Sequence, residues 1–532
     1  MQPLISRNSI IGGCAAALAF IVASAAVADD GGTGTLNALL EEMWEYDLRE
    51  SPQFATHVGD ARYNDRLGEV DVEAVKRRHD AGQKFLERLK AIDREGLALD
   101  DQINYDVVER RLRDDEEEYR FGAHLAPITS RSGFHIEFPD LRREVPLNNL
   151  EDYENYLARL RDFDRYANEH IELMREGLRL DVTLPSVALR GFEPAIQTHL
   201  VDNPERTLWY EPFAHIPSTI PESERERLRE DARQAISTFV IPAYARFGDF
   251  LGDEYAPRAR GSIGASALPH GRDFYRHRVR RFTTLDVSPE EVHQIGLQEV
   301  ARIREEMQAI ITRVEFEGDF AAFLEHLRSD SKFYAGTKQE LLNEASFILK
   351  QMDGKLPELF GRLPRLSYGL REIPDFIAPR TSSAYYMPGA GDGSRAGFFC
   401  LNTYNLKSRP RYTLEALSFH EAVPGHHLQI ALQHELADLP PIRRFSSFTA
   451  FVEGWALYAE RLGIEAGFYQ DPYSDFGRLT MEIWRACRLV VDTGIHYMGW
   501  TRSQAIDYLK ENTALSVHDI EAEVDRYISW PG

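Results

Sequence analysis

The chain has 532 residues, of which 43% are hydrophobic and 28% are charged, so it is not disordered, collagen-like or a small disulfide scaffold. Its 62 lysines and arginines are outnumbered by 85 aspartates and glutamates, which gives a formal net charge of −23. Because this charge repels phosphate backbones, we expect no nucleic-acid partner.

The longest apolar run is at the N-terminus, where Arg7 precedes residues 10–27 and the run ends in small residues. This arrangement is typical of a cleaved signal peptide. We therefore predict that residues 1–28 are removed, that the protein is periplasmic or secreted, and that no membrane span is left. Cys14 within the run makes a lipoprotein the minor alternative.

Helical periodicity dominates the remainder of the chain. Apolar residues recur at three- and four-residue spacing in six segments, 36–46, 75–92, 101–119, 150–176, 222–240 and 289–314. The last segment begins with Ser288 and Pro289, and Glu291 is placed to complete a capping box. The sequence therefore predicts a mainly α protein.

Residues 254–274 interrupt this pattern, since they are rich in glycine, proline and alanine and lack a helical period. We place here the boundary between an N-terminal helical lobe, 29–260, and a second lobe, 261–532, although the two could form one continuous folded unit. Residues 395–402 predict a short strand. If this strand lies at a sheet edge, Phe399 is a substrate-binding residue; a strand inside the sheet is equally compatible.

Residues 414–429 carry the chemistry. His420, Glu421, His426 and His427 occupy eight positions inside an otherwise apolar helical segment. Neutral imidazoles are good Zn²⁺ ligands, and a carboxylate beside the first can act as general base on metal-bound water. In an unbroken helix, however, His420 and His427 would lie about 10.5 Å apart along the axis.

Pro424 and Gly425 are expected to break this helix, because proline disrupts a regular helix and glycine adds backbone freedom. A bulge at this place would bring His426 back toward His420. We therefore prefer His426 to His427 as the second ligand, with the other as a substrate or outer-sphere donor, although the sequence leaves this choice open.

A third ligand is expected 27 positions after His426. Glu453 interrupts an apolar stretch, and a buried carboxylate needs a partner, which a cation would supply. Two histidines and one glutamate with an open fourth position form the catalytic zinc pattern.

A known family shares these features. The chain resembles the bacterial family catalogued as domain of unknown function 885, in HEAVPGHHLQ at 420–429 and EGWA at 453–456. That family is similar to the gluzincin zinc metallopeptidases, so the resemblance implies a two-lobed helical fold with a small β-sheet beside the zinc helix, whose edge binds the substrate backbone. It also implies that His420, His426 and Glu453 are the zinc ligands and that Glu421 is the general base.

Related enzymes stabilise the oxyanion with a histidine or a tyrosine. For this role we nominate His496, with Tyr385 or Tyr386 as alternatives. His496, Asp492 and Arg488 recur every four positions, so on a helix they share one face, where Arg488 is expected to hold a substrate carboxylate. The alternative is a buried ion network that braces the helix.

Taken as a set, these features predict an exported zinc metallopeptidase that hydrolyses short peptides, with Zn²⁺ as cofactor and a peptide as partner. The alternative is a catalytically silent, zinc-containing protein that binds peptides or cell wall. Cys400 and Cys487 are expected to be buried thiols. The oligomeric state is not predicted.

Overall fold

The computed structural model describes residues 30–129, 132–190, 192–375, 377–391, 393 and 395–532. The signal peptide predicted for residues 1–28 therefore lies outside the described residues, and Cys14 does too. Within the described ranges, no helix combines the length and the apolar character needed to cross a membrane.

Helices make up most of the N-terminal half. They are α1 (Asp30–Glu50), α2 (Pro52–Val58), α3 (Val72–Lys90), α4 (Leu99–Arg120), α5 (Phe134–Asp140), α6 (Leu150–Arg179), α7 (Phe192–Gln197), α8 (Glu211–Ala214), α9 (Glu222–Ala235) and α10 (Ile241–Asp249). Two π-helical segments, Ile236–Val240 and Phe250–Tyr255, join α9 to α10 and prolong α10. The five helices predicted in this half from apolar periodicity are confirmed.

The C-terminal half is also helical. Its helices are α11 (Gly271–Thr283), α12 (Pro289–Arg313), α13 (Phe320–Ser329), α14 (Lys338–Leu359), α15 (Leu414–Glu421), α16 (His426–His434), α17 (Pro441–Arg444), α18 (Thr449–Glu465), α19 (Pro472–His496), α20 (Arg502–Asn512) and α21 (Val517–Ser529). The start of α12 is capped as predicted: the Glu291 amide donates to Ser288 Oγ at 3.2 Å, and the Ser288 amide donates to Glu291 Oε2 at 2.8 Å.

A three-stranded sheet lies between α14 and α15 in the chain. It consists of β1 (Tyr368–Glu372), β2 (Ala384–Met387) and β3 (Gly397–Leu401), in the order β1-β3-β2. Strand β3 pairs parallel with β1 and antiparallel with β2, so it is the central strand and Phe399 is fully buried. The interpretation of this strand as a sheet edge, with Phe399 contacting substrate, is therefore wrong: the edges are β1 and β2.

Two large hydrophobic cores hold the helices together. One is formed by side chains between Leu67 and Tyr255, and the other by side chains between Val300 and Ile528. The mainly α fold with a small sheet is thus confirmed, whereas the division into two lobes at residue 260 stays a prediction. Cys400 and Cys487 are free and buried, as expected, and burial raises the pKa of Cys400 to about 11.

Candidate metal centre

The helix that carries the histidines is broken at the predicted place, between α15 and α16. A Cβ on Gly425 would collide with the carbonyl oxygen of His420, so glycine is required where the chain folds back. The indole N–H of Trp455, on α18, donates to the carbonyl oxygen of Pro424 at 2.9 Å and fixes the break against the neighbouring helix. As a result, the ring centroids of His420 and His426 lie 4.7 Å apart.

Glu453 of α18 faces both of these imidazoles. Its Oε2 lies 3.5 Å from His420 Nε2, and its Oε1 lies 3.7 Å from His426 Nε2. In a tetrahedral zinc site with ligand bonds of about 2.0–2.1 Å, ligand atoms are separated by about 3.3–3.4 Å. Each oxygen of the Glu453 carboxylate thus lies within about half an ångström of such a separation from one of the two imidazoles, and half of the Glu453 side chain is exposed, which leaves the cluster open on one side.

Glu421 completes the cluster. Among the described residues, the ligand-type atoms of His420, Glu421 and His426 lie within 4.8 Å of one another, and all three side chains are buried. Burial raises the pKa of Glu421 to about 7, with a further contribution from the negative charge of Glu453. A carboxylate with a pKa near neutrality is well matched to general-base catalysis.

The electrostatics of the cluster favour a cation. Burial lowers the pKa of His426 to about 3, with a contribution from the charge of His420, so at neutral pH this imidazole is in the form that binds metals. Burial opposes ionisation of Glu453, but hydrogen bonding to His420 and the charges of both histidines outweigh it and lower the pKa of Glu453. Burial and the charge of Arg485 oppose protonation of His420, but Glu453, Glu460 and Glu421 outweigh them and raise its pKa, so this imidazole has to release a proton when a metal binds.

Sequence reasoning missed two residues behind the cluster. The Glu460 carboxylate, on α18, lies 2.8 Å from His420 Nδ1, and the guanidinium of Arg485, on α19, lies 3.2 Å from the same carboxylate oxygen. A carboxylate on the second nitrogen of a metal-binding histidine fixes the ring and its tautomer. The signal in the sequence was spacing, since Glu460 follows Glu453 by seven residues, two turns of the same helix. His426 Nδ1 has no such partner in the described part of the chain.

The two adjacent histidines have different roles. His427 Nδ1 lies 2.9 Å from the Tyr386 hydroxyl, and its Nε2 lies 3.1 Å from the Leu366 carbonyl oxygen. This imidazole, 1% exposed, therefore joins α16 to β2 and to the segment before β1. The geometry favours His426 over His427 as the metal ligand, and it gives His427 structural partners instead of a substrate.

The cluster lines a cavity of about 370 Å³. One wall is formed by residues 382–386, which include strand β2 with Tyr385 and Tyr386. The Tyr386 hydroxyl is held by His427, and the Tyr385 side chain packs beside Cys400 and Ile373 on the other side of the strand. The structure thus brings both tyrosines to the cavity wall, but among the described residues neither hydroxyl group contacts His420 or His426.

His496 lies outside this cavity. Its Nδ1 accepts a hydrogen bond from the Ala265 amide at 3.0 Å, and its Nε2 lies 2.8 Å from the Tyr527 carbonyl oxygen, so the fully buried ring is held by the backbone on both sides. The expectation that His496 faces the oxyanion has to be corrected, because eight residues of helix place it about 12 Å along α19 from Arg488. Asp492 Oδ1 lies 3.6 Å from His496 Nε2.

Arg488, in contrast, does line the cavity. Its Nε donates to the Tyr527 hydroxyl at 3.0 Å and its Nη2 donates to Glu523 at 3.3 Å. Arg485 and Arg526 line the same cavity, so three guanidinium groups border it together with the acidic cluster.

These observations define a mainly helical protein with a histidine and glutamate cluster at a broken helix. Residues 52–532 match the family described as "Bacterial protein of unknown function (DUF885)", and the chain belongs to this family. The family resemblance seen in the motifs is thereby confirmed.

Two solved structures are similar to this chain. A "putative lipoprotein" from Colwellia psychrerythraea is 27% identical, with a TM-score of 0.88 over 94% of this chain and 90% of that chain. A "putative lipoprotein of unknown function" from Shewanella oneidensis is 17% identical, with a TM-score of 0.64 over the same shares, and this likeness concerns the fold alone. A comparison with curated proteins finds no match.

Proposed function

We propose that this protein is an exported zinc-dependent peptidase of the gluzincin type that hydrolyses short peptides. The observation that carries the proposal is the cluster of His420, Glu421 and His426, whose ligand-type atoms lie within 4.8 Å of one another, with the Glu453 carboxylate 3.5 and 3.7 Å from the two imidazoles. A structural zinc site would be closed by a fourth protein ligand, whereas this donor set has three and opens onto a cavity.

The residues divide the chemical work. A zinc ion held by His420, His426 and Glu453 would act as a Lewis acid on a carbonyl and acidify a water molecule. Glu421 accepts the proton of the attacking water and then passes it to the leaving amine. Glu460 and Arg485 hold the His420 ring in place while this happens.

Strand β2 supports a peptide as the substrate. It is an edge strand that pairs with β3 on one side, and it forms a wall of the cavity that contains the cluster. An extended peptide that adds to the open edge of β2 would lie across this cavity. Its main-chain hydrogen bonds to the strand would not depend on the peptide sequence. In this proposal β2 takes the place of residues 395–402, for which an edge position was one of two alternatives.

Export is part of the proposal. It rests on the signal-peptide pattern of residues 1–28 and on the printed description of the Colwellia psychrerythraea relative as a lipoprotein. That description also gives weight to lipid attachment at Cys14 in place of full release.

Hydrolysis of a mixed library of short peptides, followed by mass spectrometry, tests the proposed function. We expect cleavage products from the zinc-loaded protein, loss of cleavage after treatment with a chelator, and recovery when Zn²⁺ is added back. Zinc binding without cleavage of any peptide would contradict the peptidase and favour a silent peptide- or cell-wall-binding protein. Cleavage that survives complete removal of metal would contradict the metal mechanism.

A further inference from the structure

Three arginines line the cavity that contains the cluster: Arg485, Arg488 and Arg526. Arg485 is engaged by Glu460 and His420, whereas Arg488 of α19 and Arg526 of α21 lie beside one another around Glu523. We call Arg488, Arg526 and Glu523 the arginine wall.

One carboxylate serves two guanidinium groups in the arginine wall. Glu523, which is 1% exposed, accepts from Arg526 Nη2 at 2.7 Å and from Arg488 Nη2 at 3.3 Å. The arginine wall therefore has two positive charges and one negative charge, so one positive charge is not neutralised by Glu523. A partly buried surplus charge of this kind favours an anionic ligand.

The surplus donors are held in position. The Arg488 guanidinium stacks over the ring of Trp484 at 4.4 Å and donates through Nε to the Tyr527 hydroxyl, while Arg526 lies over the ring of Tyr527 at 4.8 Å. In the described part of the chain, the Nη1 group of each arginine makes no hydrogen bond, and 31% of the Arg488 side chain is exposed. Fixed guanidinium groups bind a carboxylate at a low entropic cost.

The arginine wall also lies close to the reacting groups. Burial opposes the charge of Arg488, but Tyr527, Glu523 and Glu453 of the metal cluster outweigh it and raise the pKa of the guanidinium. Both walls border one cavity of about 370 Å³, near the lower end of the range for small-ligand sites, so a carboxylate on the arginines and a peptide bond at the cluster belong to the same short substrate.

From this arrangement we propose that Arg488 and Arg526 bind the free C-terminal carboxylate of the substrate, so that the protein cleaves short peptides close to their C-terminal end. This inference rests on the proposed peptidase function, and it adds the end preference. The shared chemistry is a carboxylate; an aspartate or glutamate side chain is the other source, and the experiment separates the two.

The test compares three matched peptides with the zinc-loaded protein: a free acid, its C-terminal amide, and the amide of a peptide that ends in glutamate. Binding to the Glu421→Gln variant is measured calorimetrically, and hydrolysis by the parent is measured in parallel. Since hydrogen bonds to charged groups contribute about 1.5–3 kcal/mol, we expect the free acid to bind about 10- to 100-fold more tightly than either amide. Equal affinity for acid and amide would overturn the proposal, and rescue by the glutamate side chain would overturn the assignment to the C-terminal carboxylate.

Substitutions assign the effect to the wall. Arg526→Gln and Arg488→Gln, each of which leaves one partner for Glu523, should raise KM for the free acid about 10-fold or more and leave the kcat and the affinity for the amide close to the parent values. Arg526→Lys should restore part of the preference, and Arg461→Gln, on an exposed position of α18, should change nothing. A loss that is equal for acid and amide, with lowered metal content or thermal stability, would show a structural role instead.

The two proposals fail separately. If the peptidase proposal is wrong, no peptide is cleaved, but the free acid still binds better than the amide. If the carboxylate proposal is wrong, peptides are cleaved without preference for a free C-terminus.

Discussion

Replacement of Glu421 by glutamine is expected to lower the rate of peptide hydrolysis by about 10²- to 10⁴-fold while the metal stays bound. Glutamine has the volume of glutamate, but its amide cannot accept the proton of the attacking water. The proposed ligands His420, His426 and Glu453 are unchanged. Initial rates and metal content, measured on one preparation, check this result, and Glu465→Gln on the exposed surface of α18 is the matched control that should keep both.

The same substitution has a pH signature in protein stripped of metal. The folded-state pKa of Glu421, about 7, lies above its ordinary value of 4.5, so the folded protein binds this proton more tightly than the unfolded chain does. The resulting stabilisation is complete below about pH 4.5 and is lost as the pH rises through about 7. The free energy of unfolding should therefore decrease toward alkaline pH more in the parent than in Glu421→Gln. Equal pH dependence would contradict the burial of Glu421, and undiminished hydrolysis would remove it from the reaction.

Alanine substitutions of the two adjacent histidines are expected to affect different properties, zinc affinity in one case and stability in the other. His426→Ala removes a proposed ligand. Since loss of an outer-sphere partner alone lowers metal affinity by about 10- to 100-fold, we expect zinc affinity to fall by more than this. His427→Ala should retain zinc, but it leaves the Tyr386 hydroxyl and the Leu366 carbonyl without their partner, which costs about 1–3 kcal/mol of stability.

Zinc titration and denaturant unfolding of both variants measure these two effects. Each variant is the control for the other, because the substitutions are neighbours of identical size. The assignment is contradicted if His427→Ala loses zinc while His426→Ala keeps it.

Local signals allowed much of the fold to be predicted. Helix α12 was predictable from its capping box, and long amphipathic helices such as α6 were predictable from apolar periodicity. The break between α15 and α16 was predictable because Pro424 and Gly425 conflict with the helical pattern around them. In each case the residues that decide the structure are close together in the chain.

The errors concern tertiary neighbours. Phe399 lies in a recognisable strand, but whether a strand is central or at an edge depends on partners such as β1 and β2, which strand propensity does not reveal. His496 and Arg488 share a helix face, yet the length of α19 separates them, so a common face did not mean a common site. The role of Glu460 was not predictable because it depends on a tertiary contact with His420, which lies on another helix.

The metal content of the purified chain, measured by inductively coupled plasma mass spectrometry after incubation with Zn²⁺ and dialysis, tests the central claim most directly. The geometry of His420, His426 and Glu453 predicts one zinc ion per chain. A protein that retains no stoichiometric zinc under these conditions would contradict the metal centre and, with it, the proposed peptidase.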